Sequence, residues 1–369
     1  MYEGSTDIVT GVRTADRVCE VGWFADLCGG DTEWLGVLDP IRGGTFEHCR
    51  NIVLTADALG FNNILLPTSY TEGQEVLTFA GAVAPMVKQI NLLTAVRTGE
   101  IHPPMLARHL STLDQILGGR LTVNIINSAL PGSEEPPARR FSRCREVITI
   151  LRQCWTRERI EFEGEHYFVD LPSAPARPVQ SGGPLLYFGG LSEESKALCA
   201  EQCDVYLMWP DTEKGLYDIM VSVRDRARAL GRTIDFGLRI HVIVRETDAE
   251  AREYAARLMS RFDVVEGERL KHRTQDARSV GVVRQDDLRS QTNDDYIEED
   301  LWFGIGRARS GCGAAIVGSS ATVLNRLNRY LDMGIRAFVL SGYPLIEEAY
   351  HVARHVLPHL PRCSLSSRR

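Results

Sequence analysis

The fold class that this sequence predicts is α/β, a (β/α)8 TIM barrel with insertion segments, and three observations predict it. From Cys19 onward, short apolar runs of strand length alternate with amphipathic runs of helix length, the pattern of repeated βα units around a parallel sheet. Eight strand-like runs of this kind are present, the number that closes such a barrel. The chain has 369 residues, 44% hydrophobic and 25% charged, which is enough for one barrel with a large core.

The elements follow in order. Strands are expected over residues 21–25, 63–67, 91–96 and 121–126, with helices after them over 45–59, 74–87, 103–117 and 141–155. Each helix ends near a glycine or a charged turn. Residues 158–183, rich in Pro, Gly and Glu, interrupt the repeat. Within them Phe162-Glu163-Gly164-Glu165-His166-Tyr167-Phe168 alternates around a glycine, which predicts a small hairpin. Further strands are expected over 185–188, 205–209, 236–244 and 337–340. The polar stretch 265–300, with Lys271-His272-Arg273 and Asp294-Asp295, is too long for an ordinary connection. It reads as a mobile lid over the active-site face, or else as a disordered surface loop. The expected organisation is an N-terminal arm over 1–19, a single barrel domain over 20–361 and a disordered tail over 362–369.

Composition excludes several classes. The net charge is −7 and no Lys/Arg block occurs, which argues against nucleic acid and for a small-molecule substrate. No apolar run is long enough for a membrane span, and residues 1–19 carry charges where a signal peptide needs an apolar stretch, so a cytoplasmic location is expected. The nine cysteines are scattered without a CxxC pair and read as reduced thiols. Cys199 and Cys203 lie one helical turn apart, as do His351 and His355. Neither pair has the companions a metal site needs, so no metal is expected.

The chemically distinctive residues sit at strand ends, on the face where barrels carry their active sites. In Phe236-Gly237-Leu238-Arg239-Ile240-His241-Val242-Ile243-Val244-Arg245-Glu246, alternation puts Arg239 and His241 on one face of an otherwise apolar strand. A cation and an imidazole there imply a buried ion pair or a pocket for an anion. Trp209 and Tyr343 end other strands, and with Arg239 and His241 pointing inward they would surround one cavity. Thr68 and Ser69 follow the second strand. In Tyr187-Phe188-Gly189-Gly190-Leu191-Ser192-Glu193-Glu194 a strand passes through two glycines into a helix capped near Ser192, either a phosphate cradle or a turn that needs two glycines. Gly304-Ile305-Gly306-Arg307-Ala308-Arg309-Ser310-Gly311 does not match a dinucleotide fingerprint, but places a glycine-flanked Arg309 at the end of the lid candidate. No GxSxG elbow is present.

Together these segments resemble the bacterial-luciferase-like flavin monooxygenases, and among them the FMNH2-dependent alkanesulfonate monooxygenases. The resemblance covers roughly residues 23–361. Its most specific parts are Leu238-Arg239-Ile240-His241-Val242-Ile243-Val244-Arg245-Glu246-Thr247, Pro184-Leu185-Leu186-Tyr187-Phe188-Gly189-Gly190, the segment 301–318, and Leu340-Ser341-Gly342-Tyr343-Pro344 with Glu347-Glu348-Ala349-Tyr350. It implies a luciferase-like barrel, a homodimer or homotetramer, working in a two-component system. A separate NAD(P)H:flavin reductase would supply FMN as FMNH2. With O2 as co-substrate, a C4a-(hydro)peroxyflavin would then oxygenate a small organic substrate. The substrate so implied is a sulfonate or other organosulfur compound, cleaved at its C–S bond to sulfite and an aldehyde. A carbonyl, amine or heterocycle is the alternative. A deazaflavin-dependent dehydrogenase and a non-catalytic flavin-binding barrel are further readings.

Carried over to matching positions, the resemblance assigns Arg239 to the anion and peroxide, His241 to proton transfer or hydrogen bonding, and Arg309 to lid closure. Trp209 and Tyr343 would line the same site. Gly189, Gly190 and Ser192 would hold the FMN phosphate, with Tyr187, Asn124 and Ser128 as further cofactor contacts. Three departures from the alkanesulfonate pattern stand out. A Cys after the Pro-Thr of the second strand is missing in Pro67-Thr68-Ser69-Tyr70, a His after the first strand is replaced by Asp26-Leu27-Cys28, and another is replaced by Leu345. A fourth-helix Tyr is matched by Phe141. The flavin chemistry is conserved in this comparison, and the substrate pocket is changed.

Overall fold

The computed structural model describes residues 8–70, 72–133, 135–271, 279–309 and 311–368. Along the chain come β1 (Glu20–Phe24), α1 (Phe46–Ala58), β2 (Asn63–Leu66), α2 (Val76–Val83), β3 (Asn91–Arg97), α3 (Pro103–Ile116), β4 (Leu121–Ile126) and α4 (Pro137–Thr156). A two-stranded excursion, β5 (Ile160–Glu163) and β6 (Phe168–Leu171), precedes β7 (Leu185–Phe188), α5 (Glu193–Gln202), β8 (Val205–Met208), α6 (Glu213–Ala229) and β9 (Asp235–Arg245). Then follow α7 (Asp248–Met259), α8 (Val264–Lys271), α9 (Val280–Arg289), β10 (Tyr296–Glu298), β11 (Leu301–Trp302), β12 (Ala315–Ser319), α10 (Ser320–Met333), β13 (Ile335–Ser341) and α11 (Leu345–His355).

Strands β1, β2, β3, β4, β7, β8, β9 and β13 pair in parallel and close on themselves through β13 and β1. These are the eight expected strands, each displaced at its ends by no more than two residues. Their side chains are buried on both faces, which is why they read as continuous apolar runs rather than as alternation. The helices begin where the sequence offers caps. Thr45, Ser192 and Thr212 accept from backbone N–H groups of α1, α5 and α6, and Thr247 with Glu250 forms a capping box on α7. Each such cap contributes about 1 kcal/mol.

Strand β9 is the longest and organises the site. It pairs with β8 over Asp235–Leu238 and, beyond the end of β8, with β12 over His241–Arg245. The sequence did not mark β12, a run of five residues hidden among glycines. The hairpin expected within 158–183 is present as β5 and β6. The stretch 265–300 holds helices α8 and α9 and strand β10 rather than an irregular loop; His272 and Arg273, named in the lid expectation, lie outside the described residues.

The N-terminal end of the barrel is closed by a buried polar cluster. The Glu20 carboxylate accepts from Asn63 Nδ2 at 2.9 Å, from the Tyr187 hydroxyl at 2.6 Å and from the Leu365 backbone N–H at 3.1 Å. Burial pushes the Glu20 pKa above the ordinary carboxylate range, against these hydrogen bonds. This corrects the expectation of a disordered tail: Leu365 is fully buried, and residues 365–368 form a 3-10 turn because the buried carboxylate needs the donors that this segment supplies.

Candidate active site

On the opposite, C-terminal end of the barrel lies a cavity of about 280 Å³. Its walls include Phe24, Pro67, Arg97, Trp209, Arg309 and Tyr343, and much of the rest comes from residues 26–39, between β1 and α1. That connection is held in place by contacts far along the chain. Leu35 donates its N–H to Leu258 O at 2.9 Å and packs in an apolar cluster with Ile243, Trp302 and Tyr343. Gly73 lets the segment before α2 reach the same wall, since a Cβ there would lie 1.6 Å from Leu27 O.

Arg239 and His241 both point into the barrel from β9, as alternation required, but neither lines the cavity itself. Arg239 is 4% exposed, with its guanidinium 4.3 Å from the centroid of the Phe24 ring. Nη1 donates to Val339 O at 3.5 Å, and Nη2 is buried with no hydrogen-bond partner among the described residues. Burial pulls the Arg239 pKa down to about 10, so the group stays cationic at neutral pH. Arg309 joins this arrangement, its guanidinium 5.5 Å from the centroid of the same Phe24 ring, and its Nη1 donates to the Tyr343 hydroxyl. Burial alone would lower the pKa of Arg309, but Tyr343 and Asp26 hold it above its ordinary value. The site thus presents two guanidinium groups around one phenyl ring, a concentration of positive charge that suits an anion.

His241 is held through both of its ring nitrogens. Its Nδ1 lies 2.6 Å from Ser341 Oγ and its Nε2 lies 3.2 Å from the Cys312 carbonyl. A carbonyl only accepts, so Nε2 carries the proton and Nδ1 accepts from Ser341. Burial, aided by the charges on Arg239 and Arg309, keeps the imidazole pKa well below its ordinary value. Both nitrogens are committed and the ring is neutral. The ring stacks on Tyr343, with centroids 5.4 Å apart, and its bond to Cys312 anchors the segment carrying Arg309. Cys312 Sγ adds to this anchor by contacting Arg239 O at 3.1 Å.

A stability consequence follows. The unfolded chain binds a proton at His241 near the usual pH of 6.5 and the folded chain does not, so this group stabilises the fold above that pH and loses its contribution as pH falls. Replacing His241 with Gln should make stability less dependent on pH. The stability gap between wild type and His241→Gln should shrink between about pH 7.5 and 5, by up to ~1.4 kcal/mol per pH unit. Urea unfolding across this range measures it; a constant gap would show that protonated His241 is tolerated.

The remaining expected residues fall in two places. Trp209 lines the cavity, packed so closely on α9 that a Cβ on Gly281 would lie 2.8 Å from the indole. Ser128 accepts from Arg97 Nε at 2.6 Å and so touches the cavity wall through Arg97. Asn124 is buried on the inward face of β4. Gly189 and Gly190 follow β7 beside the end of β4, since Ile125 pairs with Phe188, and Ser192 caps α5 by accepting from Ser195 N. Tyr187 is turned away from this rim: its hydroxyl is spent on Glu20 at the opposite end of the barrel, so it has none to offer a cofactor there. Asp26 and Arg97 were not anticipated. For the former the signals were the replaced family His and the unusual length of the 25–45 connection; the latter looked like an ordinary strand-end charge.

The family model for luciferase-like monooxygenases matches residues 31–337. The chain belongs to this family. Among curated relatives, it is 51% identical to the sulfoquinovose monooxygenase of Agrobacterium fabrum over 97% of this chain and 94% of that protein. It is 47% identical to the sulfoquinovose monooxygenase of Novosphingobium aromaticivorans over 94% of this chain and 98% of that protein. Among solved structures, the oxygenating constituent of 3,6-diketocamphane monooxygenase from Pseudomonas putida, in complex with FMN, superposes with a TM-score of 0.68. It is 17% identical and covers 94% of this chain and 100% of that one, a likeness of fold. The protein is a flavin-dependent monooxygenase of the luciferase-like family.

Two features of the barrel rim suit a flavin. Buried polar atoms stand without hydrogen-bond partners among the described residues: Arg239 Nη2 and both amide atoms of Asn127. The rim next to the end of β4 also carries two glycines that let the chain pack closely there. A Cβ on Gly189 would lie 2.6 Å from Leu207 O, and one on Gly190 would lie 2.5 Å from Ser195 Oγ. No helix among the described residues is long and apolar enough to cross a membrane, and no group of His, Cys, Asp and Glu there could hold a metal.

Proposed function

We propose that this protein oxygenates a sulfonated sugar of the sulfoquinovose type and cleaves its C–S bond. The observation that carries this reading is the pair of guanidinium groups, Arg239 and Arg309, meeting at Phe24 beside the cavity. The names of the two relatives at 51% and 47% identity support the sugar. The reaction consumes O2 and the two electrons of FMNH2, places one oxygen atom on the carbon that bore sulfur and the other in water, and releases sulfite and an aldehyde.

The chain's own residues divide the work. Arg239 and Arg309 bind and neutralise the anionic centre, and Phe24 and Trp209 exclude water around it. Tyr343 accepts from Arg309 Nη1, which leaves its own O–H free to donate into the cavity. Asn127, Gly189, Gly190 and Ser192 would hold the phosphate of FMN, the last at the start of α5 where N–H groups of the first turn face outward. Asn124 and Ser128 would support the ring system from β4. A separate NAD(P)H:flavin reductase is the expected partner, and a homodimer or homotetramer in the cytoplasm the expected form.

The test supplies FMNH2 from a reductase with O2 and a panel of sulfonates including sulfoquinovose. Sulfite release in proportion to the sugar sulfonate is the expected result. Oxygenated product from a carbonyl, amine or heterocycle, with no sulfite from any sulfonate, would overturn it.

A further inference from the structure

The cavity wall formed by residues 26–39 carries three aspartates, and their hydrogen bonding separates them. Asp31 has spent both oxygens: Oδ1 accepts from Thr32 N and Leu345 N, each at 3.0 Å, and Oδ2 lies 2.8 Å from His48 Nε2. Asp39 has spent both as well, accepting from Ile41 N at 2.9 Å, Arg42 N at 3.1 Å and Arg42 Nη1 at 2.9 Å. Asp26 has not. Its Oδ1 accepts from Cys28 N at 3.0 Å, and its Oδ2 has no hydrogen-bond partner among the described residues, although the residue is only 5% exposed and lines the cavity.

This oxygen belongs to a residue of the cavity wall and is ready to accept from a donor that a ligand supplies. The chain also keeps the approach to it clear, because Gly30 stands where a Cβ would lie 2.5 Å from Oδ2. A carboxylate carries the sulfonate's own sign of charge, so Asp26 cannot hold the sulfonate, which falls to Arg309 on the cavity wall and to Arg239 beside it. What it suits is a neutral donor held on the same molecule beside the charge, since Asp26 is near enough to both arginines to act on them electrostatically: a hydroxyl group.

Resting on the sulfonated-sugar reading above, we propose that Asp26 is the residue that reads the sugar, its Oδ2 accepting from a ring hydroxyl while the arginines hold the sulfonate. Asp26 then separates a hydroxylated sulfonate from a plain alkanesulfonate. A site built to bond a substrate hydroxyl rejects the analogue that lacks it by large factors, because the protein group is left buried and unpaired.

The experiment is a cycle between protein and substrate. Sulfite release from sulfoquinovose and from its 2-, 3- and 4-deoxy analogues gives kcat/KM for the wild type, Asp26→Leu and Asp26→Asn. In the wild type, at least one deoxy analogue should lose about 100-fold or more. The same analogue should cost Asp26→Leu no more than about 3-fold beyond its loss on the intact sugar, as for a contact already removed. Asp26→Asn keeps the shape and the acceptor for Cys28 N, and should show an intermediate penalty, which preserves the test if the Leu variant does not fold. If every deoxy analogue penalises the variants as much as the wild type, or penalises the wild type not at all, Asp26 does not read the sugar. If wild type releases sulfite from other sulfonates and none from sulfoquinovose, the sulfonated-sugar reading itself fails, and this inference with it.

Discussion

Arg239→Ala should reduce kcat by about 1,000-fold or more while weakening FMN binding less than about 10-fold. The physical ground is that the guanidinium sits beneath Phe24 with Nη2 unpaired, so its charge is available only to a group that enters the site. An oriented buried donor serves charge that develops during reaction more than it serves the resting cofactor, and removing one such donor elsewhere costs 10²- to 10³-fold in kcat. Here a full positive charge is lost as well. Arg239→Lys should rescue little, because an ammonium cannot reproduce the planar fork or its stacking on Phe24. Steady-state kinetics with a reductase, alongside FMN titration by fluorescence quenching, separates the two quantities. Equal losses in turnover and flavin affinity would assign Arg239 to the cofactor.

The second large effect is on stability. Arg326 on α10 is 2% exposed and holds three carboxylates from two other parts of the chain. Its Nε donates to Asp300 at 3.0 Å and its Nη1 to Glu213 at 3.0 Å, with Glu298 also on Nη1 and Asp300 also on Nη2. These bonds fasten α10 to the turn between β10 and β11 and to the start of α6. Asp300 O in turn accepts from Val317 N on β12 at 2.8 Å, the strand that pairs with β9 from His241 onward. Arg326→Ala leaves Asp300 and Glu298 without this cation, while Glu213 keeps Arg329 at 2.8 Å, and removing one partner of a buried pair costs about 3–5 kcal/mol. Arg326→Lys should recover only part of it, since one ammonium cannot bond three carboxylates in the same plane. Urea unfolding reads the loss; a difference below about 1 kcal/mol would mean the carboxylates find other partners or water.

The barrel was legible because parallel strands must be apolar on both faces, and such runs spaced by helix-length segments leave few alternatives. The same alternation placed Arg239 and His241 on the inward face of β9. Chemistry at that level is written in residue type and period, which a sequence shows directly. Tyr187 shows the limit of the method. It stands in the motif with Gly189 and Gly190, two positions from the rim, yet its ring runs inward and its hydroxyl ends on Glu20 at the other end of the barrel. The direction of a long side chain depends on what fills the space beside it, and neither Glu20 nor Asn63 is near it in sequence.

His241 makes the same point for protonation. A histidine in an apolar strand invites a role in proton transfer. Ser341 and Cys312, 100 and 71 residues away, take both of its nitrogens, and burial, aided by the neighbouring arginines, keeps it neutral. Likewise the departures from the alkanesulfonate pattern at Asp26 and at Ser69-Tyr70 were visible as replaced residues, but only folding showed that these positions line one cavity.

By itself, then, the sequence determined the barrel, its eight strands, the family and the positive pole of the site, because these follow from local periodicity and from motifs read in order. The tertiary structure decided which of the candidate groups are free to act. Whether a buried oxygen or nitrogen is available depends on the donors and acceptors brought against it from distant parts of the chain. On that count His241 and Tyr187 are spent, and Arg239 Nη2 and Asp26 Oδ2 are not.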